Sequence, residues 1–148
     1  MRLSTRSRYG ARIMLRLAQN YNKGPIFLKE IAQNEDISEK YLSQLVIPLK
    51  AHGLLFALRG AQGGYQLSKS PSKITVKDIV QALEGHLSPV ECVENPSACS
   101  KVENCSVRDV WETLYEKIAE TLESVSLEDL LESKEMKEQL TGIKICEK

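Results

Sequence analysis

Residues 38–67 read SEKYLSQLVIPLKAHGLLFALRGAQGGYQL, and this stretch decides the fold. Ser38 is a favourable N-cap residue, and apolar residues follow it at three- and four-residue spacing, which predicts a helix to about His52 with Gly53 as its C-terminal cap. Residues 54–58 and 65–67 are short apolar runs that predict two strands around a glycine-rich turn. The stretch therefore predicts a helix followed by a β-hairpin.

A second short helix is predicted just before this stretch, over residues 28–33, and the sequence Asn-Glu-Asp at 34–36 ends it. Two short helices joined by a tight turn and followed by a hairpin predict a winged helix-turn-helix. Pro48 departs from a plain helical sequence, because its ring nitrogen cannot donate a hydrogen bond to the carbonyl of Gln44. We expect a bend near residues 44–48 or an early end of the helix.

An N-terminal helix over residues 5–21 is predicted by apolar residues at four-residue spacing. Arginines recur at the same spacing on another face, which suits phosphate contact or simply keeps that face in water. The apolar set is Tyr9, Ile13, Leu17 and Tyr21, and the basic set is Arg8, Arg12 and Arg16.

Three further helices are predicted after the hairpin. Thr75 and Asp78 form a capping box that opens the first, and Gly85 ends it. We expect Ser106 and Asp109 to cap the second, which runs to about residue 124, and residues 126–129 to begin the third.

The second of these helices is ~27 Å long at 1.5 Å per residue, and it carries an apolar stripe along its length. It is too long to be covered by so small a domain, so we expect the matching helix of a second subunit to cover it. Packing on the chain's own winged helix is the alternative. The stripe consists of Val107, Val110, Trp111, Leu114, Ile118, Leu122 and Val125.

These elements predict a mainly α fold with a small β-hairpin wing and a long dimerisation helix. We divide the chain into a winged helix-turn-helix DNA-binding region (1–70) and a connecting helix with a cysteine loop (71–105). A dimerisation helix and C-terminal helix (106–140) and a loose tail (141–148) complete it.

Composition is that of an ordinary globular domain, with 148 residues, 42% hydrophobic and 27% charged. No apolar run is long enough for a membrane span or a signal peptide, so we expect a cytoplasmic protein with reduced cysteines and no membrane partner. Residues 1–70 carry eleven Lys/Arg and four Asp/Glu, a net charge of +7, whereas residues 71–148 carry nine and sixteen, a net charge of −7. This split favours a polyanion as partner of the first half, although two oppositely charged solvated surfaces would also explain it.

Three of the four cysteines lie within residues 92–105, on a polar segment that contains a proline. Three thiolates form a soft ligand set, which selects zinc, copper(I) or an iron–sulphur cluster. Zinc is disfavoured because the paired Cys-x2–4-Cys spacing is absent.

The whole pattern resembles the IscR, NsrR and CymR type of winged-helix regulators over residues 1 to about 135. This family consists of homodimeric regulators that bind double-stranded promoter DNA. The resemblance is carried by Met1-Arg2-Leu3-Ser4, Arg8-Tyr9-Gly10, Ile37-Ser38-x-x-Tyr41-Leu42-x-Gln44-Leu45 and Arg59-Gly60-x-x-Gly63-Gly64-Tyr65-x-Leu67.

Several members of the family bind an iron–sulphur cluster through three loop cysteines, and Cys92, Cys99 and Cys105 match those ligand positions. The resemblance thus implies a cluster, of the 2Fe-2S type with 4Fe-4S as the alternative. The histidine that some members use as fourth ligand is replaced by Arg108, and the acidic residue that others take from the partner subunit is replaced by Arg8. The remaining candidates for a fourth ligand are His86, Glu91, Asp109, Cys146 and an external thiol.

For DNA contact we expect side chains at the start of the second helix of the helix-turn-helix to enter the major groove, where a glutamine amide can pair with adenine. The wing would reach a narrow minor groove through an arginine. The major-groove set is Ser38, Lys40, Tyr41, Ser43 and Gln44, the wing set is Arg59 and Gly60, and Lys29 would contact phosphate; Tyr41 is also a candidate for packing.

The sequence therefore predicts a DNA-binding transcriptional regulator, more specifically a repressor, which an iron–sulphur cluster controls and which governs cluster assembly or related redox and cysteine metabolism genes. The first alternative is a cluster-free repressor of cysteine metabolism, controlled by thiol chemistry or by a partner. The second is an iron–sulphur redox protein. No cofactor fingerprint or catalytic constellation is present, so we predict no enzymatic activity.

Overall fold

Over residues 3–141 the secondary structure consists of helices around one small hairpin, as the sequence predicts. The computed structural model describes residues 3–141, with side chains described as far as residue 137. The helices are α1 (Thr5–Gln19), α2 (Leu28–Glu35), α3 (Glu39–Ala51), α4 (Val76–Glu84), α5 (Glu91–Glu94), α6 (Ser106–Glu123) and α7 (Leu127–Thr141), and the antiparallel strands are β1 (Leu55–Leu58) and β2 (Gly64–Leu67).

A single apolar core is shared by α1, α2, α3, α4, the hairpin and the start of α7. The faces that the apolar periodicity assigned to α1 and α3 are the buried ones, which confirms those predictions. No helix within residues 3–141 is long and apolar enough to cross a membrane. The fully buried side chains are Ile13, Met14, Leu17, Ile31, Leu42, Leu45, Leu49, Leu55, Ile74, Ile79 and Leu127.

Helices α1 and α4 meet closely at Gly10. A Cβ atom built on Gly10 would lie 2.0 Å from Cδ1 of Leu83, which is itself buried on α4. Only a residue without a side chain lets Leu83 lie this near the backbone of α1.

A polar contact sits beside this apolar one. Ser7 is buried, and its hydroxyl donates to Oε1 of Glu84 at 2.5 Å, while the backbone N–H of Ser4 donates to the same oxygen at 3.2 Å. Burial of Glu84 opposes its ionisation, but the hydrogen bonds from Ser4 and Ser7 outweigh that effect and lower the pKa of the carboxyl. The end of α4 is thus fixed to the first turn of α1.

The helix-turn-helix is formed by α2 and α3. Asp36 adopts the left-handed conformation that ends α2, and Ser38 caps α3 by accepting a hydrogen bond from the backbone N–H of Tyr41 at 3.2 Å. Helix α3 continues past Pro48 to Ala51, so the expected early end was wrong. The ring of His52 closes the helix, with Nδ1 2.9 Å from the carbonyl oxygen of Pro48.

The wing is attached to the segment before α2 by a second short pairing. Ile26 and Tyr65 exchange two backbone hydrogen bonds, of 3.1 and 2.8 Å. Gly64 has φ +131° at this point, and a Cβ on it would lie 2.6 Å from the carbonyl oxygen of Ile26. The second glycine of the Gly63-Gly64 pair is therefore needed for the wing to approach this backbone.

Helix α6 runs antiparallel to α4 and is tied to it at one end. Backbone hydrogen bonds join Val76 to Val125 at 2.8 Å and Leu127 to Ile74 at 2.9 Å. The ammonium of Lys77 also lies 2.8 Å from the carboxylate of Glu123. With 18 residues against the 9 of α4, α6 extends well beyond the end of its neighbour.

The three helices that the sequence predicts after the hairpin begin where expected, but only two of them begin with a capping box. Thr75 and Asp78 form a reciprocal capping box, and Ser126 and Asp129 form another at the start of α7. The capping box expected at Ser106 was wrong, because Ser106 is already the first helical residue and Cys105 occupies the N-cap without a side-chain hydrogen bond.

Gly10→Ala tests the contact between α1 and α4. Alanine favours a helix over glycine by about 1 kcal/mol, so helix propensity alone would make the variant more stable. A net loss of stability would therefore be due to the clash with Leu83. We expect the variant to lose about 1–2 kcal/mol of unfolding free energy in urea titrations. In the Gly10→Ala, Leu83→Ala double variant the cost should be less than the sum of the single costs, since the new methyl group enters the space left by Leu83. Additive costs would contradict the contact.

Candidate nucleic-acid interface and cysteine loop

The outer face of α3, which we call the recognition helix, carries polar side chains above a fully apolar inner face. Lys40, Ser43 and Gln44 are all exposed, as is the cap residue Ser38. The hydroxyl of Ser43 donates to the carbonyl of Glu39 at 2.8 Å, and its oxygen can still accept a hydrogen bond. Among the described residues, the side chains of Lys40 and Gln44 have no hydrogen bond or ion pair, so their polar ends are available to a ligand.

Tyr41 differs from the other predicted contacts, because it faces α1. Its ring packs edge-on against Tyr9, with ring centroids 5.9 Å apart and an interplanar angle of 87°. Its hydroxyl lies 3.4 Å from that of Thr5. This placement agrees with the packing alternative, and a DNA contact by Tyr41 stays a prediction.

Two other elements carry predicted DNA contacts. Lys29 is exposed in the first turn of α2, and Arg59 is exposed at the tip of the wing. Gly60 has φ +104° and accepts a hydrogen bond from the N–H of Gly63 at 3.0 Å, which closes the wing turn. The turn thus presents Arg59 to solvent on a tightly closed backbone.

Arginines of α1 surround the tyrosine pair that supports the recognition helix. The guanidinium carbons of Arg8 and Arg12 lie 5.9 and 5.7 Å from the ring centroid of Tyr9, within cation–π range. Arg12 also lies 3.8 Å from the carboxylate of Glu35 on α2. Arg8 and Arg12 thus place positive charge beside the ring on which Tyr41 rests; whether this charge meets phosphate remains a prediction.

The cysteine loop (residues 85–105) consists of short turns between α4 and α6. Cys92 lies in α5, Cys99 ends a 3-10 turn, and Cys105 is the N-cap of α6. All three are partly exposed free thiols.

The loop conformation does not assemble a ligand set for a single metal ion. Within residues 3–137, no three His, Cys, Asp or Glu side chains converge where they could hold one metal ion. His86 instead contacts the carboxylate of Glu94, and Glu91 and Asp109 are exposed. Cys146, the other protein ligand considered, lies outside the described residues. The three thiols suit an iron–sulphur cluster in their chemistry, and Cys92, Cys99 and Cys105 are the residues that would hold one.

Arg108 joins the loop to α6. Its Nε donates to the carbonyl oxygen of Cys92 at 3.2 Å, and its Nη1 lies 3.4 Å from the carboxylate of Glu112. Arg108 occupies the position at which the resemblance implies a histidine ligand in some members of the family. In this chain it is a hydrogen-bond donor to the loop backbone.

Helix α6 leaves much of its apolar stripe uncovered. None of its residues is buried, and Val107, Val110 and Leu114 are 56%, 60% and 40% exposed. These three side chains lie in the half of α6 nearer the cysteine loop, away from the end that is tied to α4. Such a face is typical of a helix that packs against another chain.

Comparison with known families and structures agrees with this geometry. Residues 3–133 match the model of the Rrf2 family, described as "Iron-dependent Transcriptional regulator". The chain is 45% identical over 130 residues to the HTH-type transcriptional regulator CymR of Bacillus subtilis (strain 168). The aligned region covers 88% of this chain and 89% of that protein.

Solved structures of two such regulators share the fold. The structure of CymR (YrzC), the global cysteine regulator of B. subtilis, matches with a TM-score of 0.73 and 43% identity over 88% of this chain and 95% of that one. The structure of T. potens IscR matches with a TM-score of 0.73 and 37% identity over 90% of this chain and 88% of that one.

Arg108→Ala tests the contact between the cysteine loop and α6. We expect Cys92 to react about fivefold faster with N-ethylmaleimide, since the loss of a hydrogen bond of ~1 kcal/mol favours local opening of the loop. Mass spectrometry of timed samples would report each cysteine separately, with Cys99 as the internal comparison. Lys101→Ala, on the same loop, is the matched control. Equal Cys92 rates in wild type and Arg108→Ala would contradict the contact.

Proposed function

The chain belongs to the Rrf2 family of transcriptional regulators, and from that membership we propose that it binds promoter DNA as a homodimer. The observation that carries the proposal is the outer face of the recognition helix, where Lys40, Ser43 and Gln44 are exposed over a buried apolar face. A helix of this kind enters the major groove with its first turns. The net charge of +7 on residues 1–70 supports contact with a polyanion.

Each polar group has a distinct role in this proposal. The amide of Gln44 pairs with adenine, while Ser38, Lys40 and Ser43 contact neighbouring base edges or phosphates. Arg59 and Gly60 place the wing against the minor groove, and Lys29 contacts a backbone phosphate. Tyr41 acts chiefly by holding the recognition helix on α1.

The proposed dimer is built on α6. Pairing of two α6 helices would cover the exposed side chains of Val107, Val110 and Leu114 and would place two recognition helices at a fixed separation. Two half-sites one DNA turn apart require a separation of ~34 Å. We further propose that the protein acts as a regulator and not as an enzyme.

We propose the cysteine loop as the element through which DNA binding is regulated, because it connects the winged helix to the dimerisation helix. One candidate signal is an iron–sulphur cluster held by Cys92, Cys99 and Cys105, which the three-thiol donor set and the description of the family as iron-dependent support. Within the described residues no site for a single metal ion is formed, and we derive no step of regulation through a cluster.

The second candidate is a cluster-free regulator of cysteine metabolism, controlled by thiol chemistry or by a partner. The similarity to the global cysteine regulator of B. subtilis favours this candidate. Both candidates share the same DNA-binding surface.

DNA binding is tested with duplexes that the wild-type protein selects from a random-sequence pool. We expect Gln44→Ala to bind the selected duplex at least about fivefold more weakly, because a bidentate contact with a base is lost. Arg59→Ala should also weaken binding severalfold at physiological salt. Lys101→Ala removes a cation outside the winged helix and should leave the isotherm unchanged. Wild-type binding by both Gln44→Ala and Arg59→Ala would contradict the proposed surface.

The two candidate signals are separated by the absorption spectrum of anaerobically purified protein, with iron and sulphide assays on the same sample. Absorbance beyond 400 nm with near-equal iron and sulphide, lost in Cys99→Ser, is the result expected for a cluster. A colourless protein that stays free of iron after anaerobic reconstitution would exclude the cluster and favour control by thiols or a partner.

A further inference from the structure

Ile47 lies on the outer face of the recognition helix, at the C-terminal end of the row of exposed side chains described above. Residues spaced i, i+3, i+4 and i+7 share one face of an α-helix, and Lys40, Ser43, Gln44 and Ile47 follow this spacing. The side chain of Ile47 is 67% exposed, the most exposed of the large apolar side chains in the described part of the chain.

The position of Ile47, and not its exposure, is the informative observation. Single exposed aliphatic side chains are common on protein surfaces and by themselves indicate nothing. Here the isoleucine points away from the core residues Leu42, Leu45 and Leu49 of the same helix. It also continues a row of polar side chains that are proposed to read bases. In homeodomains the residues that reach the major groove recur along their helix at this same spacing of i, i+3, i+4 and i+7.

The chemistry of the major groove offers one apolar group at a base edge, the C5-methyl group of thymine. Ile47 lies ~4.5 Å further along the helix axis than Gln44, at 1.5 Å per residue. This distance is close to the ~3.4 Å separation of successive bases. A glutamine that pairs with adenine and an aliphatic side chain one step further along the groove would therefore read neighbouring base pairs.

We infer that Ile47 is a specificity-determining residue that contacts the methyl group of a thymine next to the base read by Gln44. The inference rests on the proposed DNA binding and adds to it a hydrophobic contact. It also predicts the composition of the site: each half-site contains an adenine and, at an adjacent base pair, a thymine.

The test combines one protein variant with one change in the DNA. Uracil differs from thymine only by the missing methyl group, so each thymine of the selected duplex is replaced by uracil in turn. Wild-type protein should lose about fourfold in affinity at one thymine per half-site, as expected for the burial of one methyl-sized group. Ile47→Ala should bind the thymine duplex more weakly by a similar factor and should not distinguish thymine from uracil at that position.

Met136→Ala is the matched control, since it also truncates an exposed apolar side chain, on α7, outside the winged helix. It should retain both the wild-type affinity and the response to uracil. The inference is overturned if Ile47→Ala binds like wild type, or if it still responds to removal of the methyl group. If the wild-type protein selects no sequence at all, the proposed DNA binding itself fails. That outcome is distinct from an Ile47→Ala variant that binds the selected duplex with wild-type affinity.

Discussion

The close approach of α1 and α4 is the constraint on which the other contacts of this chain depend. Gly10 allows Leu83 to lie against the backbone of α1, and Glu84 is held beside it by two serines from the start of that helix. Helix α1 also supports the recognition helix through Tyr9 and Tyr41, while α4 leads directly into the cysteine loop. The element proposed to read DNA and the element proposed to receive a signal are thus joined through one tightly packed helix pair.

Much of this architecture follows from periodicity and from local hydrogen-bonding chemistry. The inward faces of α1 and α3, the two strands and the capping box at Thr75 are all predictable, because each depends on residues a few positions apart. Features that depend on the surroundings are harder to predict. A Ser-x-x-Asp sequence occurs at both Ser106 and Ser126, but only the second forms a capping box, because the first helical turn of α6 begins one residue earlier than the pattern indicates.

The candidate site shows the same division. Exposure of Lys40, Ser43 and Gln44 follows from the helical period, whereas the direction of Tyr41 depends on where α1 lies. Ile47 was not among the predicted contacts because that set contained polar side chains, although its angular position already places it opposite Leu42 and Leu49. The spacing of three cysteines identifies the ligand type but does not determine the conformation of a loop made of short turns.

The unequal lengths of α4 and α6 have a mechanical consequence. Helix α6 is fixed at one end only. Its C-terminal end is anchored by the hydrogen bonds around Thr75 and Ser126, and its N-terminal end extends past α4 to the cysteine loop. A rigid beam anchored at one end amplifies a small rotation at the anchor into a larger displacement at the tip. In a dimer built on α6, a slight reorientation of either α6 helix would change how the two recognition helices are spaced and oriented relative to the helical repeat of DNA. A chemical event confined to a few atoms of the loop could in this way be converted into a choice between promoters.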